Sequence, residues 1–168
     1  GAVHSLVFGG FSAEAVRFRL EDKGAKLLVT TDGQNRRGTQ FEVKSAADIA
    51  AADLPNLEHV LVVRRTGQDV RWTTGRDVWW HDVIDTQPDV HNPESFDAEH
   101  PLFIIYTSGT TGKPKGLVHT SGGYLTHASY AHWAHFDAKS DDVHWCTADL
   151  AWVTAHTYEI YGPLSNGL

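Results

Sequence analysis

One junction constrains this chain more than any other feature. Residues 102–106 (LFIIY) form an unbroken apolar run, and residues 107–116 (TSGTTGKPKG) follow it without a spacer. An apolar run this short, with no polar alternation, predicts a strand buried on both faces. The ten residues behind it hold three glycines, four hydroxyl residues and two lysines. Glycine lets main-chain N–H groups come close to a ligand. Hydroxyls donate to phosphate oxygens, and lysine brings positive charge. Ligands of open α/β sheets bind beyond the carboxyl ends of the strands. The junction therefore predicts a strand that ends in a phosphate-gripping loop. The loop is not a Walker A motif. Only two residues separate Gly109 from Gly112, and Pro114 follows Lys113, where that motif needs serine or threonine. The competing reading is a glycine-rich surface loop without a ligand.

The rest of the chain supplies alternating elements. Residues 13–23 read as a helix, with Ser12 as N-cap and Gly24 as the stop. Residues 25–31 (AKLLVTT) and 59–64 (HVLVVR) read as buried strands. Residues 34–39 read as a polar loop, 46–53 and 78–85 as short helices, and 66–75 as a hairpin or insertion. Residues 87–99, with Pro88 and Pro93, read as a long connection. Residues 121–136 and 156–164 read as helical, and 143–147 as a short strand. Strands alternating with helices predict an α/β fold with a mostly parallel sheet flanked by helices.

Composition narrows the function classes. A formal net charge of -7 disfavours a broad nucleic-acid surface but leaves room for one local anion site. No apolar run reaches the ~18 residues of a membrane span, so no membrane partner is expected. Cys146 is the only cysteine, which forbids an internal disulfide and favours a reducing, cytoplasmic setting. It ends an apolar stretch, where a thiolate nucleophile is disfavoured. Neither Ser108 nor Ser121 stands in a hydrolase G-x-S-x-G elbow. His132 and His135 could share a helix face near His127, but no cysteine or carboxylate falls beside them at ligand spacing, so no metal site is expected. The chain opens at Gly1 without methionine and stops at Leu168 behind an apolar stretch. A piece of a longer protein is the expectation.

The ordered string YTSGTTGKPKG (residues 106–116) resembles the phosphate-binding signature of the adenylate-forming superfamily. Six further strings resemble its acetyl-CoA synthetase branch: VHSLVFGGFS (3–12), VTTDGQNRRG (29–38), RDVWWHD (76–82), HTSGGYL (119–125), WCTADLAWVTAHTY (145–158) and YGPLSNG (161–167). The resemblance covers nearly the whole chain and implies an incomplete part of a large N-terminal AMP-binding domain. It implies that Thr107, Ser108, Gly109, Thr110, Thr111, Gly112 and Lys113 hold the β- and γ-phosphates of ATP. It implies an acyl pocket walled by Trp152, Val153 and Thr154. It also implies CoA contacts from Arg36, Arg37, Gly38, Thr39 and Thr154.

The implied reaction is acetate + ATP + CoA giving acetyl-CoA, AMP and pyrophosphate, with Mg2+ as companion of ATP. The superfamily's adenine-binding segment and mobile catalytic lysine are not among these residues. The resemblance thus implies no catalytic residue here, an inactive isolated chain, and dependence on the missing remainder. Propionate, acetoacetate and a non-catalytic nucleotide-binding remnant are the alternatives. The chain also departs from the branch. Thr39 replaces an arginine, Glu159 an aliphatic residue, and Ala151 and Ala155 replace glycines. If those glycines serve positive φ or close approach, alanine would cost about 1 kcal/mol or more.

Overall fold

The computed structural model describes residues 1–108 and 112–168. They divide into two compact units, Gly9–His91, and Gly1–Phe8 together with Asn92–Leu168. The boundary near residue 91 lies inside the connection expected at 87–99.

The Gly9–His91 unit begins with α1 (Ala13–Lys23). The Ser12 hydroxyl accepts the Ala15 N–H at 3.2 Å, and Gly24 ends the helix in the left-handed region. Then come β1 (Leu27–Thr31), β2 (Gly33–Arg36), β3 (Thr39–Glu42), α2 (Lys44–Ala51), β4 (His59–Val63), β5 (Asp77–Trp79) and α3 (Trp80–Ile84). The expected parallel sheet is present, in the order β1-β4-β5 with both pairings parallel. Val60 and Val62 of β4 are fully buried and pack with Ala51 of α2, Leu28 and Trp79. The sequence reading of β1 as buried on both faces is corrected, because Leu27 and Val29 are exposed while Leu28 packs inward. The polar loop expected at 34–39 is also corrected. Residues 33–42 form an antiparallel hairpin whose two turn residues, Arg37 and Gly38, both have positive φ. Two such residues are what a tight hairpin turn demands.

Two buried polar centres tie this unit together. The Asp32 carboxylate accepts N–H bonds from Gly33, Arg65 and Gly67 at 2.7 Å and from Thr66 at 3.0 Å. Burial alone would raise its pKa, but the N–H groups of Arg65, Thr66, Gly67 and Gly33 outweigh burial and hold it below the ordinary value. Lys44 is fully buried and pairs with Asp77 at 2.7 Å and Asp48 at 2.6 Å, joining α2 to β5. Arg76 completes the network at 2.7 Å from Asp77. Lys44 and Asp77 are paired charges, and the Asp32 carboxylate is instead satisfied by hydrogen bonds from main-chain N–H groups.

The second unit is built on β6 (Pro101–Thr107), the strand read from LFIIY. It pairs antiparallel with β7 (Lys115–Thr120), in a register that sets Phe103 against His119 and Thr107 against Lys115. On its other side His4 makes a parallel bridge, with the Ile104 N–H donating to its carbonyl at 2.9 Å. α4 (Ser121–Phe136) follows with the expected bounds. Its first N–H groups are satisfied by the His100 and Ala98 carbonyls at 2.9 and 2.8 Å. Phe103, Tyr124 and Ala128 form the core, with Leu102, Ile105 and Tyr161 packed on it.

One expectation is corrected here. Residues 143–147 form no strand, and Val143 and Trp145 are 95% and 84% exposed. An alternating segment needs a partner strand to supply its hydrogen bonds, and none of the described residues pairs with it. Residues 156–164 are helical as expected, as a π-helix (His156–Tyr161) that follows one helical turn (Val153–Ala155) and runs into a short helix (Gly162–Ser165). Among the described residues no helix is long and apolar enough to cross a membrane.

Gly162 explains how this last stretch reaches α4. A Cβ there would lie 2.5 Å from the Thr157 carbonyl oxygen, 2.9 Å from His132 Cβ and 3.2 Å from the Ala128 carbonyl oxygen. Two of these atoms are backbone, so they cannot yield by a rotamer change. Gly162→Ala should therefore destabilise the protein by about 1–3 kcal/mol, the usual range for overpacking. Urea unfolding of the variant beside the wild type measures it. An unchanged midpoint would contradict the close approach.

Candidate functional site

The phosphate-gripping loop expected from the sequence is the connection between β6 and β7. Antiparallel pairing carries the two strands as far as Thr107 and Lys115, so both ends of the loop are fixed. Thr107, Ser108, Gly112 and Lys113 are exposed to solvent. Gly109, Thr110 and Thr111 lie outside the described residues. Gly112 has φ +82°, and a Cβ there would touch nothing within 4 Å. Backbone conformation, not space, selects glycine at this position.

A cleft of about 590 Å³ opens at the other end of β7. From Lys115 to Val118 the strand advances roughly 10 Å. The cleft is lined by the end of β7 (Val118, His119, Thr120), by α4 (Gly123, Tyr124, His127), and by Val153, Thr154, Thr157 and Tyr158. Two of the three residues expected to wall an acyl pocket, Val153 and Thr154, are therefore together on one cavity. Trp152 does not line it. Its side chain is 64% exposed, so it is not a core residue either. Sequence reading assigned no role to His119, Gly123, Tyr124 or Thr157. Their signal lay in the strings HTSGGYL and WCTADLAWVTAHTY, which carried the resemblance without marking a cavity.

Behind the cleft lies a stack of rings around Phe103. His156, His119 and His4 lie 4.4, 4.7 and 5.6 Å from Phe103, centre to centre, and Tyr124 meets it edge-on at 4.7 Å. Burial lowers the pKa values of His4 and His119, and charge repulsion from His156 lowers them further. His156 is itself buried, its Nδ1 3.0 Å from the Trp152 carbonyl oxygen. The three histidines of α4 do not converge. His127 lines the cleft, His135 bonds its own backbone at Ala131, and His132 is fully buried. Neither ring nitrogen of His132 has a hydrogen-bond partner among the described residues. Burial, and then His144, lower its pKa. Among the described residues no three His, Cys, Asp or Glu side chains are grouped to hold a metal ion.

Arg36, Arg37, Gly38 and Thr39 are the exposed tip of the β2–β3 hairpin in the other unit. Arg36 and Thr39 form the last paired register, and Arg37 and Gly38 make the turn. The substitutions at 151 and 155 need no positive φ, since neither alanine has one. Ala155 is fully buried in ordinary helical geometry. Glu159 lies in the π-helix beside a second cavity, with His144, Trp145 and Cys146 among its walls.

The sequence pattern of the AMP-binding enzyme family matches residues 1–168. The chain belongs to that family. It is 61% identical over 169 residues to the acetyl-coenzyme A synthetase of Mycolicibacterium smegmatis, covering 100% of this chain and 18% of that protein. Identity to the acetyl-coenzyme A synthetase of Streptomyces avermitilis is 62%, over 99% of this chain and 26% of the relative. For that of Deinococcus radiodurans it is 54%, again over 99% and 26%. The chain thus spans about a quarter or less of the curated relatives it matches.

The lowered histidines give the unit built on β6 a pH dependence. Each is easier to protonate in the unfolded chain, near 6.5, than in the fold. Their contribution is full above about pH 6.5 and is lost as pH falls through the lower folded values. The melting temperature should fall between pH 7.5 and 5. His132→Phe should flatten part of that slope, and a slope unaltered in this variant would contradict the assignment.

Proposed function

We propose that this chain is part of the N-terminal AMP-binding domain of an AMP-forming acetate–CoA ligase. The observation that carries the reading is the connection between Thr107 and Lys115, both fixed by strand pairing, whose described residues Thr107, Ser108, Gly112 and Lys113 are open to solvent. It stands in a chain some 60% identical to acetyl-coenzyme A synthetases.

In this reading ATP lays its β- and γ-phosphates along the loop. Thr107 and Ser108 donate hydroxyl hydrogen bonds, Lys113 supplies charge, and Gly112 makes the turn. Gly109, Thr110 and Thr111 are assigned to the same phosphates. Acetate attacks the α-phosphorus, the bond to the β-phosphate oxygen breaks, and pyrophosphate leaves. The CoA thiolate then attacks the acyl carbon and AMP departs. The protein's part in the first step is to hold the leaving pyrophosphate and steady its growing charge. Mg2+, when bound with ATP, screens phosphate charge during the in-line attack. The exposed donors of the loop suit an ion that arrives on the phosphates, with the phosphates themselves as its ligands.

Val153 and Thr154 wall the acyl group, beside Trp152. The β2–β3 tip, with Arg36 and Arg37, offers CoA a phosphate clamp. Thr39 lacks the second guanidinium of the branch, so Arg37 is assigned its charge. The 168 residues alone are not expected to turn over, since the rest of the catalytic set is assigned to the remaining length of the protein.

Acetate-dependent exchange of pyrophosphate into ATP, measured on the full-length protein, tests the loop. Lys113→Ala should slow exchange about 10- to 100-fold, the worth of one hydrogen bond to a charged group. Thr107→Ala should slow it about 2- to 10-fold. Unchanged exchange in both variants would remove the loop from the site.

A further inference from the structure

A hydroxyl relay runs beneath the cleft wall. Thr157 Oγ1 donates to the Val153 carbonyl at 3.0 Å. The Tyr124 hydroxyl lies 2.7 Å from the same Oγ1. Threonine has one hydroxyl proton, and with that proton on the closer Val153 carbonyl Tyr124 is the donor in the second bond. In that arrangement the relay runs from the Tyr124 O–H to Thr157 to the Val153 carbonyl, and in the reverse one, with Tyr124 donating to the carbonyl and Thr157 to Tyr124, both hydroxyls still converge on Val153. The Tyr124 oxygen is also 3.5 Å from that carbonyl. Burial pushes the Tyr124 phenol up, so the proton the relay needs stays in place.

The position of the relay gives it a consequence. Val153–Ala155 is a single helical turn whose N-cap makes no side-chain bond, and it runs directly into the π-helix His156–Tyr161. A threonine bonding the carbonyl four residues back is a contact that bends helices, and π-helical turns gather at functional sites. Here that contact is braced from α4, by a tyrosine whose ring is fixed edge-on against Phe103 and Tyr161. Tyr124 and Thr157 also line the same cleft as Val153 and Thr154.

We infer that Tyr124 is a positioning residue for acyl selectivity, which acts through Thr157 to hold the Val153 wall at a fixed depth. The inference rests on the proposed reading of Val153 and Thr154 as the acyl wall, and it adds the element that sets that wall's place. Tyr124 is not assigned contact with the reacting atoms. Its ring belongs to the core and its hydroxyl to the relay. Tyr124→Phe removes the relay's first proton and keeps the ring packing.

The test is steady-state kinetics of the full-length protein with acetate, propionate and butyrate, together with the KM for ATP. Tyr124→Phe should raise the KM for acetate about 2- to 10-fold, the range for one lost hydrogen bond. It should lower the preference for acetate over propionate and leave the KM for ATP unchanged. Thr157→Val should reproduce this, and Thr157→Ser, which keeps the hydroxyl, should behave as wild type. The double variant Tyr124→Phe, Thr157→Val should be no worse than Thr157→Val alone, because both changes break one chain. Val153→Ala separates the two levels. If it alters acyl preference and Tyr124→Phe does not, the relay is overturned and the wall stands. If Val153→Ala leaves acyl preference unchanged, the wall reading fails and the relay falls with it. Equal changes in the KM values for acetate and ATP would reduce Tyr124 to a folding residue and overturn the proposal. Should Tyr124→Phe not fold, the Thr157→Val and Thr157→Ser pair decides alone.

Discussion

Phe103 is the fixed point of the unit that carries the loop. It is fully buried at the centre of β6, and rings from four separate segments close around it: His4, His119, Tyr124 and His156. Burying a phenyl ring among aromatic partners is worth about 3–5 kcal/mol against alanine. That one side chain therefore sets the register of β6 against β7 and seats α4 and the π-helix on the sheet. Thr107 leaves the same strand four residues further on, so loop and cleft share a single anchor. Groups that must meet a substrate within a fraction of an ångström are best held by such rigid elements.

The other unit is organised by charge. Asp32, at the end of β1, gathers four main-chain N–H groups and so fixes the 65–67 turn beside the start of the β2–β3 hairpin. Lys44 sits between Asp77 and Asp48, with Arg76 on the far side. Burial would raise the Asp77 pKa, and Arg76 and Lys44 hold it down. These centres join the ends of β1 and β5 to the segments beside them through hydrogen bonds and ion pairs. The exposed hairpin tip needs that support, because nothing in Arg36–Thr39 packs.

The parts of the fold that were legible in the sequence have local causes. α1 was readable because Ser12 caps it and Gly24 stops it. β6 was readable because five apolar residues end at a glycine-rich loop. The bounds expected for α4, 121–136, match the helix found. The failures have causes as well. KGLVHT lacks the apolar density of LFIIY, so β7 was missed, and with it the hairpin that bears the loop. β2 and β3 are polar apart from Gly33 and Phe41, and they pair because Arg37 and Gly38 can turn. Residues 143–147 carry the apolar Val143 and Trp145 expected of a strand, but no strand among the described residues lies beside them. The π-helix has no sequence signature, since it arises where Gly162 must press against α4. At the site, the ordered string and its place directly behind an apolar run exposed the loop. The cleft needed coordinates, because Tyr124 and Thr157 are 33 residues apart and meet only through packing.

In the proposed reaction acetate is joined to AMP while the loop holds the departing pyrophosphate. Turnover of acetate carrying oxygen-18 in its carboxylate, by the full-length protein with ATP and CoA, tests it most directly. By that route one acetate oxygen would bridge to the α-phosphorus and stay with it when CoA takes the acyl group. The expected result is one labelled oxygen in AMP and none in pyrophosphate. Label in inorganic phosphate with ADP as co-product, or AMP free of label, would contradict it.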